Sequence, residues 1–199
     1  MTQVTNFGAV ARVTGGKGPA RETRRQGLVP GVIYGNKQAP VSISLDPRRL
    51  WAEMNTAGFV TRLFNVQVDG VNELCLCRDV QRHPVSGQPL HVDFLRVTAD
   101  SKVHVKVPVH FANQDKSPGI KAGGVLNVVH HELEIIVAAD HIPAELVIDL
   151  TGVEIGASLH LSAVPLPEGA SAVSHEKDMT IATMAAPTVA QAGAEGASA

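Results

Sequence analysis

Three consecutive pieces decide the fold: Val29-Pro30-Gly31-Val32-Ile33-Tyr34, Val41-Ser42-Ile43-Ser44-Leu45, and Asp46-Pro47. The first two are rich in β-branched residues and read as strands. Asp46-Pro47 reads as a helix start, because the Asp side chain caps free N–H groups and Pro fits the first helical position. Leu50, Trp51 and Met54 follow at helical spacing, and Gly58 ends the element. Towards the C-terminus, 62–68, the turn Asp69-Gly70 and 73–80 read as a hairpin, with another strand at 90–97. Towards the N-terminus, 4–14 alternates loosely and reads as a strand. About six short strands and two short helices with close turns favour a small closed β-barrel, which leaves no exposed sheet edge.

Gly15-Gly16-Lys17-Gly18 breaks the first strand, and Pro19 opens a helix over about 19–26 that Gly27 stops. Its apolar face is almost nil. Packing alone cannot hold such a helix, so it is expected to be marginal in the free protein and fixed by what it binds. From Lys102 the pattern changes: Val103, Val105, Val107 and Val109 alternate with polar residues or Pro, and the loop 117–124 follows. Further strands are expected at 125–138, 145–150, 158–163 and 178–184. The fold class is therefore mainly β: a barrel domain over 1–97, a second mostly β domain over 98–184, and a disordered tail of small residues over 185–199.

The 199 residues are 44% apolar and 18% charged, which excludes wholesale disorder. No window nears ~20 uninterrupted apolar residues, so no membrane span is expected. Two cysteines make no disulfide framework, and the polar start lacks a signal-peptide pattern, so the cytoplasm is the expected compartment. The net charge of −2 hides an asymmetry: 1–97 carries +5 and 98–199 carries −7. A basic half beside an acidic one is read, on charge alone, equally as a site for a polyanion partner or as a solvated basic face with none.

Lys17, Arg21, Arg24 and Arg25 fall at i, i+4, i+7 and i+8, and share one stripe if the helical phase reaches Lys17. Such a ridge matches the phosphate rows beside a nucleic-acid groove. Glu22, three residues before Arg25, pairs with it at some cost to the field. On the strands, Asp79, Gln81 and His83 are expected on one face with Val80 inward. His91 and Asp93 share a face opposite Leu90, Val92 and Phe94. An Asp within a basic surface suggests readout of base N–H or ribose hydroxyl groups, beside the plainer reading of ordinary sheet polarity facing solvent. Tyr34 can stack on a base or fill the barrel. Cys75 and Cys77 share a strand face and, with His83 and His91, give a weak metal reading; no Cys-x-x-Cys is present. His130-His131-Glu132 begins a zinc-protease motif that Ile135 leaves incomplete. Phosphate-loop and nucleophile-elbow motifs are absent.

The ordered set Gly16-Lys17-Gly18, Arg21 to Arg25, Val29 to Gly35, Asp79-Val80-Gln81-Arg82-His83-Pro84 and His91-Val92-Asp93-Phe94 resembles the bacterial family of large-subunit ribosomal protein number twenty-five. Pro118-Gly119-Ile120-Lys121-Ala122-Gly123-Gly124 and His131-Glu132-Leu133-Glu134 resemble its two-domain general-stress CTC subfamily. The resemblance implies a ribosomal barrel protein, not an enzyme and without cofactor, that binds 5S rRNA at an internal loop of non-canonical pairs in the central protuberance. It implies RNA contacts at Arg12, Lys17, Arg21, Arg24, Tyr34, Gln81, His91 and Asp93, to which the residue reading adds Arg25 and His83. Family members often carry Arg where this chain has Glu22. The acidic half is expected to face neighbouring ribosomal proteins or large-subunit rRNA. Two rival readings stand beside this one: a metal-dependent enzyme built on His83, His91, Asp93 and the thiols, and a stress adaptor acting off the ribosome.

Overall fold

A computed structural model describes residues 4–12, 15–56, 58–98, 101–167, 169–173 and 178–187. Its first part is a closed barrel of β1 (Val4–Ala11), β2 (Val29–Gly35), β3 (Gln38–Leu45), β4 (Leu63–Val68), β5 (Val71–Arg82) and β6 (Pro89–Arg96), in the order β1-β3-β2-β6-β5-β4. Parallel pairing of β1 with β4 closes it, with Val4 opposite Leu63. The turn Asp69-Gly70 has positive φ at both positions, as a tight two-residue hairpin requires. Asn36-Lys37 does the same between β2 and β3, a turn the sequence reading leaves unassigned. Phe7, Ile33, Ile43, Phe64, Val92 and Phe94 fill the barrel. Phe64 touches Phe7, Phe59 and Phe94 at ring separations of 5.1–6.0 Å.

Two helices are attached to it. α1 (Lys17–Arg25) begins two residues before the expected point, and α2 (Pro47–Met54) stops short of Gly58. Asp46 caps α2 by accepting from the Arg48 N–H at 2.8 Å, and Leu50 and Met54 are its buried residues. Among the described residues no helix is long and apolar enough to cross a membrane.

The later strands are β7 (Lys102–Ala112), β8 (Val125–Val128), β9 (Glu132–Ala138), β10 (Leu146–Asp149), β11 (Ser158–His160), β12 (Ser171–Ala172) and β13 (Thr180–Ala185). They form a sheet β10-β7-β9-β12 and a sheet β11-β13-β8. The alternating valines of β7 are buried, as period-two patterning requires. Four expectations change, the first being the strand at 158–163, which stops at His160 and is followed by a 3-10 turn over Leu161–Ala163. The single strand over 125–138 is two, broken at Val129-His130-His131, so His130-His131-Glu132 lies at a strand junction and not on a helix. The loop 117–124 contains a helical turn, α3 (Pro118–Lys121), capped by fully buried Ser117, whose Oγ also donates to the Val153 carbonyl at 2.8 Å. Ala185, expected in the tail, ends β13; 188–199 lies outside the described residues. By its contacts the chain divides into one unit of 1–106 with 135–144 and another of 107–134 with 145–199.

Candidate nucleic-acid interface

α1 is held by polar ties rather than by an apolar face. Its one buried residue is Thr23, whose Oγ1 donates to the Pro19 carbonyl at 2.9 Å. Gly16, φ +110°, starts the helix without a side-chain cap. At the other end Gly27 takes positive φ; its N–H donates to the Arg24 carbonyl and that of Leu28 to the Thr23 carbonyl, a Schellman stop. Arg24 Nε donates to the Leu90 carbonyl at 3.0 Å and pins the helix beside β6.

Arg12 clamps the other side. Its Nε donates to Ile43 O at 2.9 Å, and its terminal nitrogens reach Gly31 O and Thr23 Oγ1 at 3.4 and 3.5 Å. Burial first, and the Arg24 charge second, lower the Arg12 pKa. Three of its five N–H donors thus bind β3, β2 and α1, leaving two for a ligand. Because α1 includes Lys17, the condition for one cationic stripe is met, and Lys17, Arg21, Arg24 and Arg25 are all exposed. Arg25 lies 3.8 Å from Glu22, both well solvated, a pairing of little energy.

The sheet face depends on a β-bulge. Cys77 opposes Phe94 but Asp79 opposes Asp93, so Arg78 is an extra residue in β5. Strict alternation would put Cys75, Cys77, Asp79 and Gln81 on one face. The bulge turns the two cysteines into the core and Asp79 and Gln81 outward. Gln81 then lies directly across from His91, and Asp79 from Asp93. His91 Nδ1–H donates to Asp93 Oδ1 at 2.6 Å, which aims Nε2 away from the carboxylate. Tyr34 stands one strand over, on β2; burial, then the Asp93 charge, raises its pKa, so its phenol stays a neutral donor.

His83 departs from its expected place. β5 ends at Arg82, and His83 starts the turn to β6, where Nδ1 accepts from the N–H groups of Val85 and Ser86 at 3.2 Å. Its Nε2 remains for a ligand. The rival metal cluster is not assembled. Cys75 and Cys77 are buried free thiols, their pKa pushed up to about 12 chiefly by desolvation, while His91 and Asp93 lie on the outer face. Among the described residues no three His, Cys, Asp or Glu side chains gather as metal ligands.

Helix and sheet face meet in a cleft of about 410 Å³ lined by Arg12, Lys17, Arg24, Ser42 and His91. Lys17 and Arg24 of the helix and His91 of the sheet thus open on the same cleft. The residues around this cleft match the Ribosomal L25p family over 8–94, and 102–188 matches the C-terminal domain of ribosomal protein TL5. "Large ribosomal subunit protein bL25" of Paramagnetospirillum magneticum is 56% identical over 194 residues, covering 96% of both chains. The chain belongs to the ribosomal L25p family. The relative of the same printed name in Rhodospirillum rubrum is 49% identical over 94% of this chain and 90% of its own. That of Brucella abortus is 49% identical over 99% of this chain and 96% of its own.

Thr23, Ser42 and the Arg78 bulge are the parts of the site that sequence reasoning missed. A lone Thr in a charged helix is a faint signal, and a bulge without Gly has none.

Proposed function

We propose that the chain is a structural, non-enzymatic component of the large ribosomal subunit in the bacterial cytoplasm, binding 5S rRNA at an internal loop of non-canonical pairs in the central protuberance. The major groove of regular A-form RNA is too deep and narrow for side chains to read, so a helix enters only where irregular pairing widens it. Lys17, Arg21 and Arg24, supported by Arg25 and the spare donors of Arg12, neutralise phosphates and release counterions. Tyr34, Gln81, His91 and Asp93 take the shallow groove, with His83 Nε2 at the rim. Asp93 accepts from base N–H or ribose hydroxyl groups, and His91 Nε2 is presented at fixed orientation. The observation that carries this reading is the cleft that joins Lys17 and Arg24 to His91.

The relatives' names support the ribosomal assignment. The division near 97/98 is supported by the two family matches, which end at 94 and begin at 102. The acidic second domain is poorly suited to phosphates, and its charge suits basic ribosomal proteins better than large-subunit rRNA. Footprinting the full chain on a 5S rRNA transcript tests the reading. Protection confined to the irregular internal loop is the expected result; protection of regular duplex alone, or none, overturns it. Sedimentation of lysate away from the large-subunit fraction would favour the adaptor.

A further inference from the structure

Arg24 lines two clefts. The second is a larger hollow of about 620 Å³, walled by Leu28, Arg48, Trp51, Pro89 and Leu90 as well. Its lining is mainly apolar, contains two arginines and includes no carboxylate. Asp46, one residue outside it, uses an oxygen to cap the Arg48 N–H. Trp51, the one tryptophan of the chain, is 38% exposed. The 83–88 turn lies near the indole edge: a Cβ on Gly87 would be 3.2 Å from its Cη2.

We propose that this hollow receives an unstacked nucleobase of the bound RNA, which stacks on Trp51 while its flanking phosphates meet Arg48 and Arg24. The inference rests on the RNA-binding reading above and extends the contact surface past the C-terminal end of α1. Charge chooses the occupant. An apolar pocket guarded by cations and free of acids suits a planar group carried on a polyanion. An exposed indole offers a stacking face, and base–aromatic stacking tolerates any base. Arg24 belongs to both clefts, so a strand following the α1 ridge is delivered to the second.

Trp51 is the chain's single tryptophan, so its emission reports on this hollow alone. Full-length protein is titrated with end-labelled 5S rRNA, reading label anisotropy and Trp51 emission together. The expected result is saturable quenching with the same midpoint as the anisotropy. Trp51→Ala weakens binding about 5- to 150-fold. Trp51→Phe, which keeps a ring and guards against misfolding, stays within about threefold of wild type. RNA binding with unchanged Trp51 emission, and with both variants within about twofold of wild type, overturns the hollow while leaving the RNA reading intact. Emission that responds to ribosomal proteins but not to RNA also overturns it. Failure of the wild-type chain to bind the transcript removes both claims together.

Discussion

α2 buries Leu50 and Met54 and is capped by Asp46, whereas α1, one residue longer, buries only Thr23 and starts on Gly16 without a side-chain cap. Both helices decorate the same barrel. α2 follows the ordinary recipe, an apolar stripe on the core with polar residues outside. α1 gives up that stripe and is tied instead by Arg12, Thr23 and the Arg24–Leu90 bond. The difference teaches where function sits in this molecule. On the proposed reading, a helix that buries so little is kept for the partner of its exposed cations.

The comparison can be broken experimentally. Leu50→Ala should cost about 2–5 kcal/mol of unfolding free energy in urea, since Leu50 is fully buried. The RNA affinity of the folded protein should hold; a variant that loses affinity while keeping stability would place α2 packing in the interface. His91→Ala should lose about 1–3 kcal/mol of preference for the irregular loop over a regular duplex. Equal weakening on both RNAs would deny the sheet a reading role. The smallest effect concerns the core side of the bulge. Cys75 and Cys77 have pKa values raised to about 12 in the folded chain. Thiols of the unfolded chain ionise near pH 8.5. Burial therefore costs nothing below that, and stability falls as pH rises from about 8.5 towards 12, because the unfolded state sheds protons first. At pH 8 both thiols should resist alkylation until urea unfolds the protein; prompt labelling of the native chain would contradict their placement.

Much of this was legible beforehand, for identifiable reasons. Six barrel strands and two helices follow from β-branched runs, Asp46-Pro47 and Asp69-Gly70, where local chemistry and tertiary packing agree. The cationic stripe follows from spacing alone. The Asn36-Lys37 turn lacked the usual glycine. The Arg78 bulge, which decides whether Asp79 or the cysteines face outward, is imposed by pairing with β6 and leaves no local mark. His83 was misplaced because only the turn at 83–88 reveals that its ring caps Val85 and Ser86. The cleft around His91, Lys17 and Arg24 joins residues about 70 positions apart, and no periodicity encodes that.

On the proposed reading, the ridge of α1 supplies affinity and the sheet face supplies selectivity, and salt separates the two. Binding of full-length protein to 5S rRNA should be followed from low to moderate ionic strength for wild type and for Lys17→Ala/Arg21→Ala/Arg24→Ala. The log–log slope of the triple variant should be shallower by about 2–3, at roughly 0.7–0.9 for each phosphate left without its cation. An unchanged slope would mean that α1 does not hold the RNA backbone.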